Sequence, residues 1–205
     1  MLFRSPLRVI ASRVNTFEYN PPSMYWLFIE RMFANGIKSA ISRDGLAFTE
    51  EAGFRMTPEA AEFTTTTVAA TSGATIVALA DGRYRMYFSD LPRPGDPPGG
   101  HLVKSAISLD QLTWTVEDGV RLGPGAAVLS ESAEHPFVLA NLDGSVTIYY
   151  GKFGNTGSAN AEGVYYSTST DGLTFTTETL AVGSGNDPDR SEEHTSELQS
   201  PYVIS

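Results

Sequence analysis

Three stretches of this chain line up on an aspartate: "IKSAISRDGLAFT" around Asp44, "VKSAISLDQLTWT" around Asp110 and "VYYSTSTDGLTFT" around Asp171, spaced 66 and 61 residues apart. A second element precedes the latter two, as "VALADGRYRMYFSD" at Asp81 and "VLANLDGSVTIYYGK" at Asp143, offset by 62 residues. A degraded first copy is "EYNPPSMYWLFIE", with Asn20 at the aspartate position and Tyr25, Trp26 and Leu27 filling the strand. No other feature restricts the fold as strongly. A repeat of this length is a supersecondary unit that cannot bury its apolar face alone, so it must stack on its neighbours.

Each unit reads as strands. Asp81-Gly82 is a two-residue hairpin signal between the β-branched run Thr75 to Val77 and a strand rich in aromatics. Asp44-Gly45 and Asp171-Gly172 repeat that chemistry one hairpin later, and a Thr- and Val-rich strand is expected after each, most clearly "FTTTTVAAT" at Phe63 to Thr71. Four strands per repeat of about 60 residues is the blade plan of a β-propeller. The predicted fold class is therefore all-β, a partial β-propeller of four-stranded antiparallel blades spanning residues 1–189, as two full blades and parts of two more. The segments "SDLPRPGDPPGGH" and "GKFGNTGSANAEG" are Pro- or Gly-rich and read as surface loops on one face. Asp44, Asp81, Asp110, Asp143 and Asp171 are read as turn formers that cap hairpins through their own backbone.

Composition narrows the function classes. With 41% hydrophobic residues in 205, the chain is not disordered, and with no cysteine it has neither a disulfide framework nor a cysteine zinc site. A formal net charge of −10 argues against binding a phosphate backbone, so no nucleic-acid partner is expected. No run of about 18 apolar residues exists, so no membrane span is expected. The opening "MLFRSPLRVIASRVN" carries Arg4, Arg8 and Arg13 with no acid before Glu18 and faintly resembles a transit peptide; we read it as a first strand or an arbitrary start, with no signal peptide visible. His101 falls in a loop and His194 near the end, so no converging ligand set is expected, neither a metal nor a cofactor. Trp26 and Trp114 sit within the repeat and are expected to pack in the core.

The elements "SRDGLAF", "SLDQLTW" and "STDGLTF" hold one residue fewer between aspartate and aromatic than the sialidase Asp-box. They are similar instead to the Ser-x-Asp-x-Leu-x-Trp strand-turn of five-bladed β-propeller glycoside hydrolases, families 43 and 32 and their relatives. The resemblance covers roughly Tyr25 to Asp189. It implies a five-bladed parent, a carbohydrate substrate or ligand, and export to the periplasm or the cell exterior, and it leaves oligomeric state open.

Chemistry in such a fold sits where the inner strand of each blade begins, around the central channel. Aligning the blades on their turns puts Gly73-Ala74, His135-Pro136 and Asp187-Pro188 there. These families commonly begin one inner strand with Glu-x-Pro, whose glutamate is the general acid, and others with Asp-Pro. "EHP" at Glu134 to Pro136 looks like the first and "DP" at Asp187 like the second. The resemblance thus implies Glu134 and Asp187 as catalytic carboxyl groups and His135 as a hydrogen-bond partner for a sugar hydroxyl. Glycosidic cleavage needs two carboxyl groups facing one bond, one giving a proton to the leaving oxygen while the other attacks or activates water.

Three departures qualify the match. No acid stands at Gly73 or near Arg13, Asp187 falls at a different place in blade order from the expected base, and the Asp-Pro at Asp96 lies in a loop as a turn. A non-catalytic propeller that binds carbohydrate or protein is the alternative. Finally, "RSEEHTSELQS" at Arg190 to Ser200 resembles the translation of a common sequencing-library adapter and interrupts the expected next blade in mid-strand, so residues 190–205 are read as a non-native tail.

Overall fold

The computed structural model describes residues 9–12, 25–31, 36–44, 46–63, 68–92, 101–123, 126, 133–152 and 163–183. All regular elements among them are strands, arranged as three four-stranded antiparallel sheets, and no helix is long and apolar enough to cross a membrane. The first sheet runs in the order β1 (Val9–Ser12), β2 (Tyr25–Arg31), β3 (Gly36–Ser42), β4 (Thr49–Glu50). The second follows as β5 (Val68–Ala78), β6 (Tyr84–Pro92), β7 (Val103–Ser108), β8 (Thr115–Val116). The third is β9 (Glu134–Ala140), β10 (Val146–Lys152), β11 (Gly163–Ser169), β12 (Thr179–Gly183). Strand order follows chain order within each sheet, which is the meander of a propeller blade.

Three sequence expectations are corrected here. The degraded first copy is a complete four-stranded sheet, because backbone pairing between β1 and β2, from Val9↔Ile29 to Ser12↔Trp26, needs no aspartate turn. The Thr- and Val-rich run at 63–71 is not the last strand of the first blade. From Val68 onward it belongs to β5, while the outermost strands β4 and β8 are two residues long. The Asp-Gly hairpins are three-residue loops. Leu79 N–H donates to Arg83 O (2.8 Å) and Gly82 N–H to Leu79 O (3.1 Å), and Asn141 to Ser145 repeats both bonds at 2.8 and 3.1 Å. A two-residue turn of the mirror-image type needs positive φ at both central residues, but only Gly82 (84°) and Gly144 (85°) supply it, which produces a turn ending in a glycine bulge.

The aspartates do form these turns and the later ones. Asp44 Oδ1 accepts from the Leu46 and Ala47 amides at 2.8 and 2.9 Å and from Ser42 Oγ. Asp110 repeats the bonds with Leu112, Thr113 and Ser108, and Asp171 with Leu173, Thr174 and Ser169. The amide bonds hold the Asp44 carboxyl down to about 2, and they hold those of Asp110 and Asp171 below the usual carboxylate range as well.

Two apolar layers join the sheets. Ile37, Met56, Ala61 and Phe63 of the first unit pack on Ala74, Ile76, Met86, Phe88 and Ala106 of the second. On the other face of the second sheet, Val77, Tyr87, Val103 and Leu122 pack on Val138, Val146, Ile148, Tyr150, Tyr165 and Phe175. Residues Arg85 to Asp90 of β6 are consequently buried without interruption, whereas β10 alternates between buried and half-buried. A strand covered on both faces loses the period-2 alternation that a strand covered on one face keeps. Trp114 is partly buried against the first layer, and its indole N–H donates to Gln111 O at 3.0 Å.

Candidate functional site

The inner strands β5 and β9 meet at two matched irregularities. The β5–β6 register shifts between Ser72 and Thr75, and the β10–β9 register shifts between Tyr149 and Gly151. The residue in the left-handed region is Gly73 (φ 64°) in one and His135 (φ 51°) in the other, each eight residues before its turn aspartate. A methyl group on Gly73 would come within 3.0 Å of both His135 Cα and Pro136 Cδ. The chains therefore approach closely where the resemblance implies an aspartate, and a side chain there would be crowded. Gly73 lies inside β5 and not at its start, whereas His135-Pro136 does open β9.

His135 is strained twice over. Left-handed backbone is disfavoured for a residue with a Cβ, and the following Pro136 favours an extended conformation at His135. Strain of this kind costs on the order of 1–3 kcal/mol and clusters at functional sites, and bulges there re-aim side chains.

Glu134, beside the bulge, is mostly buried, and its Oε1 lies 2.8 Å from His101 Nε2. The other face of that imidazole meets Asp90: His101 Nδ1 is 3.2 Å from Asp90 O and 3.5 Å from Asp90 Oδ1. Asp90 is held in turn by the Leu102 amide, which donates to its Oδ1 at 2.8 Å. Ala133 N–H donates to His101 O at 3.1 Å, so the backbones on either side of the cluster are also tied. Burial disfavours the imidazolium, but the bonds to Asp90 and Glu134 and the Glu134 charge outweigh it and push His101 up to about 10. His135 is more exposed, with Nδ1 at 3.7 Å from Glu134 Oε2.

Sequence reading singled out Glu134 and His135 and gave no role to the residues that contact them. Asp90 and His101 stand at the end of β6 and just before β7, and folding brings them to the start of the next blade's inner strand. His101, assigned to a loop without a role, is the link between two carboxylates. Asp187, Asp96 and His194 lie outside the described residues. Among the described residues no group of three His, Cys, Asp or Glu converges in a way that could hold a metal ion.

A second polar pattern repeats with the later turns. Glutamates stand seven residues after Asp44, Asp110 and Asp171, at Glu51, Glu117 and Glu178, and arginines eleven after the first two, at Arg55 and Arg121. Ser39 Oγ donates to Glu51 Oε2 (2.6 Å) and Ser105 Oγ to Glu117 Oε2 (2.7 Å); Arg55 and Arg121 donate to the same serines through Nε. Each arginine also reaches the next blade's turn, Arg55 to Leu112 O at 3.2 Å and Arg121 to Leu173 O at 3.3 Å. This is an interblade clamp and not a ligand site.

A cavity of about 510 Å³ is lined by Arg83, Ser108, Leu109, Asp110, Thr113 and Thr115. It sits at the turn end of the second blade. Tyr84↔Ser108 and Ser89↔Val103 are five residue steps apart along β6, about 16 Å of strand, so the cavity is remote from Glu134. The ionisable cluster, and not the cavity, identifies the candidate site.

No protein-family model and no curated protein sequence matches the chain. Solved structures do. A thermostable family-43 glycoside hydrolase is 15% identical, with a TM-score of 0.63 over 85% of this chain and 54% of its own. A family 117 glycoside hydrolase produced by the marine bacterium Zobellia galactanivorans is 17% identical, with a TM-score of 0.58 over 88% and 64%. A β-1,2-mannobiose phosphorylase from Listeria innocua, in complex with β-1,2-mannobiose, is 13% identical, with a TM-score of 0.55 over 74% and 37%. The fold is thus a partial β-propeller of the kind found in glycoside hydrolases, and the chain spans about half the length of the structures it matches. Hydrolases and a phosphorylase share this fold, so it does not by itself fix the reaction.

Proposed function

We propose that this chain is part of a carbohydrate-active β-propeller that cleaves glycosidic bonds by carboxyl acid–base catalysis, with Glu134 as general acid. The observation that carries the reading is the position of Glu134: an inner-strand start, next to a strained bulge, with a charged hydrogen-bond partner. In this reading Asp187 supplies a second carboxyl group and the exposed His135 imidazole binds a sugar hydroxyl. Two carboxyl groups facing one bond supply the acid and the base or nucleophile.

A second reading, a non-catalytic propeller that binds carbohydrate or protein, is favoured by one specific feature. The inner strand of the second blade offers Gly73, at a place where a side chain would be crowded, where a further acid would stand. Assaying the chain on a panel of aryl glycosides separates the two. Turnover that Glu134→Gln lowers by about 10²-fold or more supports the enzyme. Saturable glycan binding without turnover supports the binding module, and neither would sink both readings.

A further inference from the structure

The second blade places no side chain beside Glu134 at Gly73, where even a Cβ would lie 3.0 Å from His135 Cα and Pro136 Cδ. It reaches Glu134 by another route. Asp90, buried at the end of β6, touches His101, and His101 touches Glu134. The imidazole is a two-ended connector. Nδ1 faces the Asp90 carbonyl and carboxylate, and Nε2 faces one oxygen of Glu134, leaving its other oxygen toward His135. Such an arrangement fixes the ring's orientation and stabilises the doubly protonated form.

We propose that Asp90, His101 and Glu134 act as one hydrogen-bonded unit, in which Asp90 and His101 are positioning residues that set where the proton beside Glu134 resides. The inference deepens the proposed function and rests on it only for its catalytic consequence. When Glu134 gives a proton from Oε2 to a leaving oxygen, the carboxylate that results is stabilised by the His101 Nε2–H at Oε1, and His101 keeps both ring protons. Among the described residues, the titratable groups facing His101 are Asp90 from β6 and Glu134 from β9, with His135 next along β9. Lys104, on β7 itself, is directed elsewhere, its Nζ donating to Ala61 O at 2.9 Å.

The test is an NMR titration of the imidazole nitrogens in the full chain between pH 5 and 11. His101 is expected to keep both ring protons well above the ordinary histidine midpoint of about 6.5. Glu134→Gln and Asp90→Asn should each lower its midpoint by about one unit or more, since either removes an opposite charge. A wild-type His101 midpoint near 6.5, or one that Glu134→Gln leaves in place, overturns the proposal; Glu134→Gln alone decides the matter if Asp90→Asn does not fold. In the aryl glycoside assay the alkaline limb of kcat should follow the His101 midpoint and move with Asp90→Asn. A coupled titration without turnover leaves the unit standing and sinks only the glycosidase reading.

Discussion

The second and third blades share a plan and differ at one end. At the turn end they match: Asp81 with Asp143, Tyr87 with Tyr149, and Asp110 with Asp171, the last pair in the same hydrogen bonds to the two following amides. At the strand-start end the matched positions diverge, Ser72 against Glu134, Gly73 against His135 and Asp90 against Lys152. Backbone geometry demands the same chemistry wherever a turn must be made, whereas the inner end has no such demand. Residues there are free to specialise, and the two blades cooperate by each giving part of one cluster.

The blades also differ in what covers them. Arg85 of the second blade binds Glu117 through both Nε and Nη2 at 2.8 and 2.9 Å and donates to Asp171 O at 2.8 Å, while Tyr87 OH donates to Gly172 O at 2.7 Å. The matching positions of the third blade are Thr147 and Tyr149, on a face where Phe137, Leu139, Val164 and Val182 are exposed among the described residues. Position for position, that face repeats the one the second blade buries.

The turn comparison gives the largest expected effect. Gly172 (φ 68°) is pressed by Arg85 Nη1 and Tyr87 OH, so Gly172→Gln should cost about 3 kcal/mol from left-handed strain and two displaced hydrogen bonds. Its counterpart Gln111 already sits at φ 60° with its Oε1 buried and without a partner. Gln111→Gly should therefore stabilise by about 1 kcal/mol. Urea midpoints of equal sign for the pair would break the correspondence.

Gly73→Ala should cost about 2 kcal/mol by strain and by contact with Pro136, whereas His135→Gly should raise stability by about 1 kcal/mol. If His135→Gly destabilises, the imidazole is a packing residue and the strain argument fails.

A further effect is one of pH. His101 has a folded value near 10, above the ordinary 6.5, so its contribution is fully present below about 6.5 and is lost as pH rises to about 10. Melting temperature should fall over that window more in the wild type than in His101→Gln. Parallel curves would show that the cluster adds nothing to the fold.

The amino-acid sequence by itself determined the repeat, the turns and the strand class, because these rest on local chemistry: the aspartate two residues after a serine caps the following amides in all three copies. It also marked Glu134 and His135, through the short run ahead of Pro136. Only the tertiary structure decided that Asp90 and His101 belong with them. They are separated by 33 residues or more from Glu134, carry no periodic signal, and meet it only because one blade's loop packs against the next blade's inner strand. The three-residue turns and the bulge at His135 were likewise beyond local pattern, since φ at a histidine is set by what presses on it, here the backbone of Gly73.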